Sequence, residues 1–155
     1  MRNQSLRTVV DFDCKDIEPM THSVRLNEEL GVVVVRFHAA PNFDEIKTLF
    51  DDAVQMPGFR PGLFLVADFR LTNAPLTGAE IRHLADYVLR TDAQWGATKW
   101  SILTSEATTF GLGRMFMALT DDHEVTTHVF RTVTEADDWF GLGVEMYDIL
   151  ARTPE

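Results

Sequence analysis

Along most of the chain, apolar residues recur at strand-like or helix-like spacing. Residues 31–38 (Gly-Val-Val-Val-Val-Arg-Phe-His) are strongly β-branched, and residues 22–28 alternate loosely before a short polar connection. These two segments predict a β-hairpin. Residues 63–69 are almost continuously apolar, which is typical of a strand buried on both faces. Further strands are predicted at 100–104 and 125–131.

Helical spacing is found between and after these strands. Asn42 is a favourable N-cap for the first helix, and Thr77-Gly-Ala-Glu80 has the form of a capping box that opens the second. Residues 110–119 are apolar on nearly every side, which predicts a deeply packed helix. Thr134-Glu-Ala-Asp137 is similar to a capping box and predicts the start of a last main helix.

The predicted order is β, β, α, β, α, β, α, β, α, with strict alternation after the hairpin. We therefore predict an α/β fold: a mixed, mostly parallel five-stranded sheet with an N-terminal antiparallel hairpin and about four packing helices. Residues 1–20 are expected to form an irregular arm with one short strand at 8–10, and residues 21–151 a single domain. Residues 144–150 predict a short helix whose apolar side needs cover from the sheet or from a second copy.

Composition narrows the classes of function. The 155-residue chain has a formal net charge of −10, which disfavours nucleic acid and anionic membrane surfaces as partners. The first residues are too polar for a signal peptide, and the longest purely apolar run, Val32–Val35, is far too short to span a bilayer. The single cysteine, Cys14, has no second thiol with which to form an internal disulfide. We expect a cytoplasmic protein without stable membrane insertion.

No segment has the pattern of a catalytic site. Ser101 and Ser105 lack the Gly-x-Ser-x-Gly context of a hydrolase, and the acidic neighbours of Cys14 disfavour its thiolate. Asp121-Asp122-His123 is the nearest approach to a metal-ligand cluster, but an acidic turn is usually solvated. Phe110-Gly-Leu-Gly113 offers either an anion site on backbone amides or close helix–sheet packing, and we favour packing. The sequence predicts no enzyme activity, no cofactor and no metal.

One edge of the predicted sheet is the candidate site. Asp68 ends a buried strand, at the edge where parallel sheets bind ligands, and it is equally well explained as a turn residue. Arg114, on an otherwise apolar helix, is placed to point at this edge and pair with Asp68. A rim that contacts a ligand or a partner is therefore predicted from Asp68, Thr77, Ser105, Gly111 and Arg114.

The interior is a second place where a ligand can bind. The chain has eleven Phe and six Met residues, which allow an adaptable apolar cavity, although a plain packed core is the favoured interpretation. Trp95 and Trp100 flank a turn that contains glycine. They predict either an exposed contact surface or a cap on the core.

Several segments, in the right order, resemble the bacterial SpoIIAA-like family, which is related to STAS domains and to the CRAL-TRIO fold. Trp100-Ser-Ile-Leu-Thr-Ser105 followed by Phe110-Gly-Leu-Gly-Arg-Met115 is similar to its strand–loop–helix signature. Leu65-Val-Ala-Asp68 is similar to its central strand, and residues 129–140 to its closing strand and helix. The resemblance covers about residues 21–142 and implies the fold predicted above.

For function, the resemblance implies a regulatory protein, because STAS antagonists bind a kinase partner that phosphorylates a serine at the start of the helix after the central strand. Thr77 lies about where that serine would be, in Pro75-Leu-Thr-Gly78, but the preceding aspartate is missing. A helix-capping role for Thr77 is the favoured interpretation.

Three hypotheses follow. The first is a non-enzymatic regulatory or protein-interaction module, with a protein partner bound near Thr77 and the helix at 77–91. The second is a carrier of a small apolar or lipid-like ligand, in a cavity that the helix at 110–119 covers. The third and weakest is an enzyme that works at Asp68 and Arg114. A homodimer is compatible with each.

Overall fold

The computed structural model describes residues 22–121 and 123–141. These residues form one five-stranded sheet with the spatial order β1-β2-β3-β4-β5, and four helices. The strands are β1 (His22–Asn27), β2 (Val32–Phe37), β3 (Phe64–Asp68), β4 (Thr98–Leu103) and β5 (Val125–Phe130); the helices are α1 (Phe43–Val54), α2 (Gly78–Trp95), α3 (Ala107–Leu119) and α4 (Val133–Phe140). The predicted fold class is confirmed. The predicted arm with Cys14 and the helix at 144–150 lie outside the described residues.

The hairpin and the crossovers set the strand directions. Gly31 closes the β1–β2 turn with a φ of 70°, a left-handed conformation that suits glycine, and its N–H donates to the carbonyl of Asn27 at 2.9 Å. β1 and β2 are therefore antiparallel, with Val24 opposite Val35. A helix separates each later pair of strands, and β2 to β5 are all parallel.

Helices cover both faces of the sheet. The strands follow one another in chain order, so successive right-handed crossovers place α1, α2 and α3 on the same face. Val33 and Val35 pack there, in a core that includes Ile46, Leu84 and Phe116. Val32 and Val34 point to the other face and share a smaller core with Val133, Ala136 and Phe140 of α4. The continuous apolar run in β2 thus serves two cores.

Trp95 and Trp100 both belong to the larger core, and each is only 2% exposed. Trp100 stacks on Phe50 with ring centroids 5.0 Å apart, and Trp95 meets Trp100 edge-on at 4.9 Å. The alternative of an exposed tryptophan surface is therefore wrong for this pair, and the core interpretation is confirmed.

α3 differs from its prediction in two ways. It begins at Ala107, not at Phe110, because the Glu106 carboxylate caps its first amides. It is also not deeply packed: its buried residues are Thr109, Gly113 and Phe116, along one narrow stripe. The reason is its position over β5, the last strand of the described sheet, which leaves the rest of this apolar helix half-buried or exposed.

α4 is capped two residues earlier than predicted, at Thr132 and not at Thr134. The Thr132 hydroxyl accepts from the N–H of Glu135, whose carboxylate accepts from the N–H of Thr132. The glutamate side chain is long enough to accept from the N-cap amide, whereas aspartate is one methylene shorter. The Thr132–Glu135 box therefore forms in place of the one predicted for Thr134 and Asp137. None of the described helices combines the length and apolarity needed to cross a bilayer.

Candidate functional site

The carboxyl ends of β2 to β5 meet at one edge of the sheet, and each is followed by the first turn of a helix. Ligands of parallel α/β sheets bind at this edge, since loops and the positive ends of helices converge there. Three of the five predicted rim residues, Asp68, Thr77 and Ser105, lie in the segments that leave these strands. Gly111 and Arg114 lie further along α3.

The chain's own side chains occupy the helix N-termini at this edge. Asn42 and Glu45 form a capping box on α1, and Thr132 and Glu135 form one on α4. The Glu106 carboxylate accepts from the N–H groups of Thr108 and Thr109, at 3.0 and 2.8 Å. Backbone amides that bind phosphate in other α/β proteins are therefore already paired with internal acceptors.

Thr77 is the N-cap of α2, as the sequence predicts. Its hydroxyl accepts from the N–H of Glu80 at 3.1 Å, and the Glu80 carboxylate accepts from the N–H of Thr77 at 2.9 Å. This gives the Thr77 hydroxyl a structural role at the start of the helix. The Glu80 carboxylate already lies beside Thr77, at the helix N-terminus, where the helix dipole favours negative charge.

Asp68 has a cationic partner other than the one expected. Its carboxylate accepts from Nε and Nη2 of Arg70, each at 2.9 Å, and from the N–H of Arg70 at 3.0 Å. Asp68 is 6% exposed, and its side chain lies on the α4 face of the sheet, in register with Arg36 and Leu103. The expected Asp68–Arg114 pair is therefore wrong, because Arg114 is exposed on α3, on the opposite face and beside β5.

Glu106 is a rim residue that the sequence analysis missed. Besides its two backbone bonds it accepts from the hydroxyl of Thr109 at 2.7 Å, and that hydroxyl accepts from the buried N–H of Ala74 at 3.1 Å. The network joins the start of α3 to the loop between β3 and α2. The hydrogen bonds from Thr109 and Thr108 lower the pKa of Glu106 from 4.5 to about 2. Ser105, next to Glu106, is exposed.

The two glycines of the Phe110-Gly-Leu-Gly113 motif have different surroundings. A Cβ on Gly113 would lie 2.9 Å from Cγ2 of Val129, so this glycine lets α3 lie directly on β5. A Cβ on Gly111 would meet no atom within 4 Å. The favoured packing interpretation is confirmed for Gly113 and is wrong for Gly111. Neither glycine lies at the helix N-terminus, so the motif does not form the anion site considered as its alternative.

Apolar surface is exposed at this edge and at the opposite end of α3, where Leu119 lies near the amino ends of the strands. Leu71, in the loop between β3 and α2, is 73% exposed, and Leu119 of α3 is 38% exposed. Gly111, Met115 and Leu119 follow one another at i, i+4 and i+8, so they share one side of α3. Met115 lies next to the start of α2, with its Cε 3.7 Å from the Cβ position of Gly78. We call Leu71, Thr77, Gly78, Gly111, Met115 and Leu119 the rim surface.

Leu71 and the outward side of α3 had only a weak signal in the sequence. An isolated leucine in a loop is common, and a helix that is apolar all round normally predicts burial. The informative feature was the position of α3 in the chain. It crosses to the last predicted strand, and a helix that covers an edge strand has a neighbouring helix on one side only.

An apolar cavity of about 80 Å³ lies between the sheet and helices α1 to α3. Its walls include Phe37, Phe50, Phe69 and Trp100, and Thr109 is at its border. The indole N–H of Trp100 is buried and has no acceptor among the described residues. The predicted cavity beside the sheet is thus present, and it is small.

Within residues 22–121 and 123–141, no group of three or more His, Cys, Asp or Glu side chains is arranged to hold a metal ion. Nδ1 of His123 lies 3.8 Å from Oδ2 of Asp92 in α2. This contact joins the turn before β5 to the end of α2.

Comparison with known proteins adds no relative to this description. A scan against protein-family models, a search of curated proteins and a search of solved structures each gave no match to this chain.

Proposed function

We propose that this chain is a non-enzymatic protein-interaction module of the SpoIIAA-like type, which binds its partner through the rim surface. The five-stranded mixed sheet with an N-terminal hairpin is compatible with that family. A regulatory partner protein is the class of ligand that the resemblance implies. The exposed apolar residues on α3 and its neighbouring loop are the single observation that carries the proposal.

Hydrophobicity supports a protein as the ligand. α3 has one charged residue in thirteen, yet only one narrow stripe of it is buried. The Leu71 side chain adds an apolar anchor on the adjacent loop. Exposed apolar surface marks interaction sites, and we infer that Leu71 and α3 contribute to one of them.

The polar groups of the edge support binding over catalysis. Asp68 is held by Arg70, the Thr77 hydroxyl by the Glu80 amide, and Glu106 by Thr108 and Thr109. A general base or a nucleophile needs a free lone pair that is directed at a substrate. These groups instead order the loops that present Leu71 and the start of α2.

Site-specific photocrosslinking in cells of the source organism tests the proposal. Benzoylphenylalanine at Gly111 has open space around it, and the matched control is the same residue at Asp138, exposed on α4 at the opposite face. We expect a discrete adduct with one partner polypeptide from position 111 and none from position 138. Equal adduct patterns from both positions would count against the rim surface.

A ligand carrier is the second candidate, and the cavity favours it. An apolar cavity of roughly 150 Å³ accepts benzene, so a cavity of about 80 Å³ accepts a smaller molecule. An acyl chain requires α1 to α3 to move apart. Native mass spectrometry of freshly purified protein tests this function: an added mass that denaturation removes supports it, and a consistently bare mass opposes it.

A further inference from the structure

We propose that the groove between α3 and the outer edge of β5 binds an extended peptide segment of another protein, which adds to the sheet as a sixth strand. This edge groove has a volume of about 270 Å³. It lies on the other side of α3 from Met115 and Leu119, and Gly111 borders it, three residues before Arg114 and seven before Ala118.

The lining of the edge groove shows that it follows a strand edge. Four consecutive residues of β5, Val125 to His128, line it. Successive strand residues point to opposite faces of a sheet, so a groove that touches all four must run along the backbone edge. Arg114, Met117 and Ala118 of α3 form the helical wall, and Thr120 and Asp121 line the groove just after the helix ends. Four strand residues span about 13 Å, enough for a peptide of about four residues.

The backbone groups of β5 that point away from β4 can be assigned from the pairing of the two strands. The carbonyls of Glu124 and Phe130 accept from the N–H groups of Thr98 and Thr104. Even-numbered residues therefore direct their backbone groups to β4, and Val125, Thr127 and Val129 direct theirs outward. Within the described part of the chain no strand pairs with this side of β5.

The sequence of β5 also lacks the residue types that protect an edge strand. Its sequence, Val-Thr-Thr-His-Val-Phe, has no proline, lysine or acidic residue, although the whole chain has 24 acidic residues. The hydroxyl of Thr127, a residue only 6% exposed, has no hydrogen-bond partner among the described residues.

Packing geometry selects a peptide over a second copy of the chain. Gly113 places α3 directly over Val129 of β5. Neighbouring strands lie about 4.8 Å apart, whereas packed helices need about 8–10 Å. Antiparallel pairing of two β5 strands would bring the two α3 helices too close. The added strand must therefore carry no helix on this face, as in β-augmentation by an extended segment.

Charge indicates the kind of peptide. α3 and β5 contribute no carboxylate to the groove, and Arg114 on its wall has no ion-pair partner among the described residues. Asp121 lies seven residues further, at the other end. The groove thus favours a segment of alternating apolar and small polar residues with an acidic side chain opposite Arg114.

The test uses peptides selected on the purified protein from a phage-displayed library of random 12-residue sequences. Amide hydrogen exchange is then measured with and without a selected peptide. Binding should slow exchange at Val125, Thr127 and Val129, which point outward, with little change at Thr126 and His128, which already bond to β4. Peptides that leave the three outward amides unprotected would overturn the proposal.

Thr127→Pro is the matching variant. The outward N–H of Thr127 is not used within the sheet, so proline removes it without breaking the β4–β5 ladder. We expect at least a tenfold loss of peptide affinity with a native circular dichroism spectrum, and the same loss from Ala118→Glu on the helical wall, which keeps the test valid if the proline variant misfolds. Unchanged affinity in both variants, or a wild-type dimer that Thr127→Pro dissociates, would overturn the proposal.

Discussion

Alanine substitutions at Gly111 and Gly113 measure how closely α3 packs against the sheet. Both glycines are inside the same helix, so alanine at either position gains about 1 kcal/mol of helix propensity. At Gly111 nothing lies within 4 Å of the added methyl group. We therefore expect Gly111→Ala to raise the free energy of unfolding by about 0.5–1 kcal/mol.

At Gly113 the same methyl group would lie 2.9 Å from Cγ2 and 3.2 Å from Cβ of Val129. Val129 is 7% exposed and β-branched, so it has little freedom to rotate away. Overpacking of this kind costs about 1–3 kcal/mol. After the gain in propensity, Gly113→Ala should lower the free energy of unfolding by about 0–2 kcal/mol, which places the two variants about 1–3 kcal/mol apart.

Urea denaturation, followed by far-ultraviolet circular dichroism, measures the free energy of unfolding of both variants. The two values can be compared if the m-value is unchanged. Val129→Ala removes the closest atom, so in that background the penalty at Gly113 should largely disappear. If Gly113→Ala stabilises the protein as much as Gly111→Ala, then α3 does not lie against Val129. The placement of the edge groove would fail with it.

Three further predictions concern polar groups. Glu106→Gln should lower the free energy of unfolding at neutral pH. The pKa of Glu106 is lowered from 4.5 to about 2 in the folded protein, so the carboxylate stabilises fully above pH 4.5 and loses this contribution as the pH falls through 2. The difference in unfolding free energy between the variant and wild type should therefore shrink over that range. Urea titrations from pH 6 to pH 2, with Glu124→Gln as control, measure this difference, and a pH-independent difference contradicts the prediction. Asp68→Asn should cost about 1.5–3 kcal/mol in urea denaturation, because it weakens three hydrogen bonds to a charged group; a change below 0.5 kcal/mol, about the size expected at an unremarkable surface position, would rule that role out. Thr98→Val should lower the free energy of unfolding by about 1–2 kcal/mol, because the Thr98 hydroxyl donates to the Leu63 carbonyl at 2.6 Å. Thr127→Val should raise it by about 1 kcal/mol, because the buried Thr127 hydroxyl has no partner in the described part of the chain. Equal thermal midpoints for the two variants would be inconsistent with these assignments.

The fold was predictable because several signals agreed. The β-branched run at 32–35 and the apolar run at 63–69 marked buried strands, and the Thr77–Glu80 capping box marked the start of α2. Alternation of strands and helices then restricted the topology, since right-handed crossovers leave few arrangements. The starts of α3 and α4 were misplaced, because a glutamate N-cap and the choice between two threonines depend on side-chain geometry.

The candidate site was predictable only at the level of one sheet edge. Placing Asp68 and Thr77 at that edge needed strand order alone. The partner of Asp68 depended on which face its side chain takes, and a shift of one residue along β3 would reverse it. Burial of α3 depended on the absence of a further helix beyond β5 in the described sheet, which no local pattern encodes.

The central claim is that the exposed apolar residues of the rim surface serve binding and not folding. The most direct measurement is the yield of the partner adduct from benzoylphenylalanine at Gly111 in a Leu71→Asp background. Leu71 is 73% exposed, so the substitution should leave the free energy of unfolding within about 0.5 kcal/mol of wild type while the adduct disappears. An undiminished adduct yield from the folded variant would contradict the account.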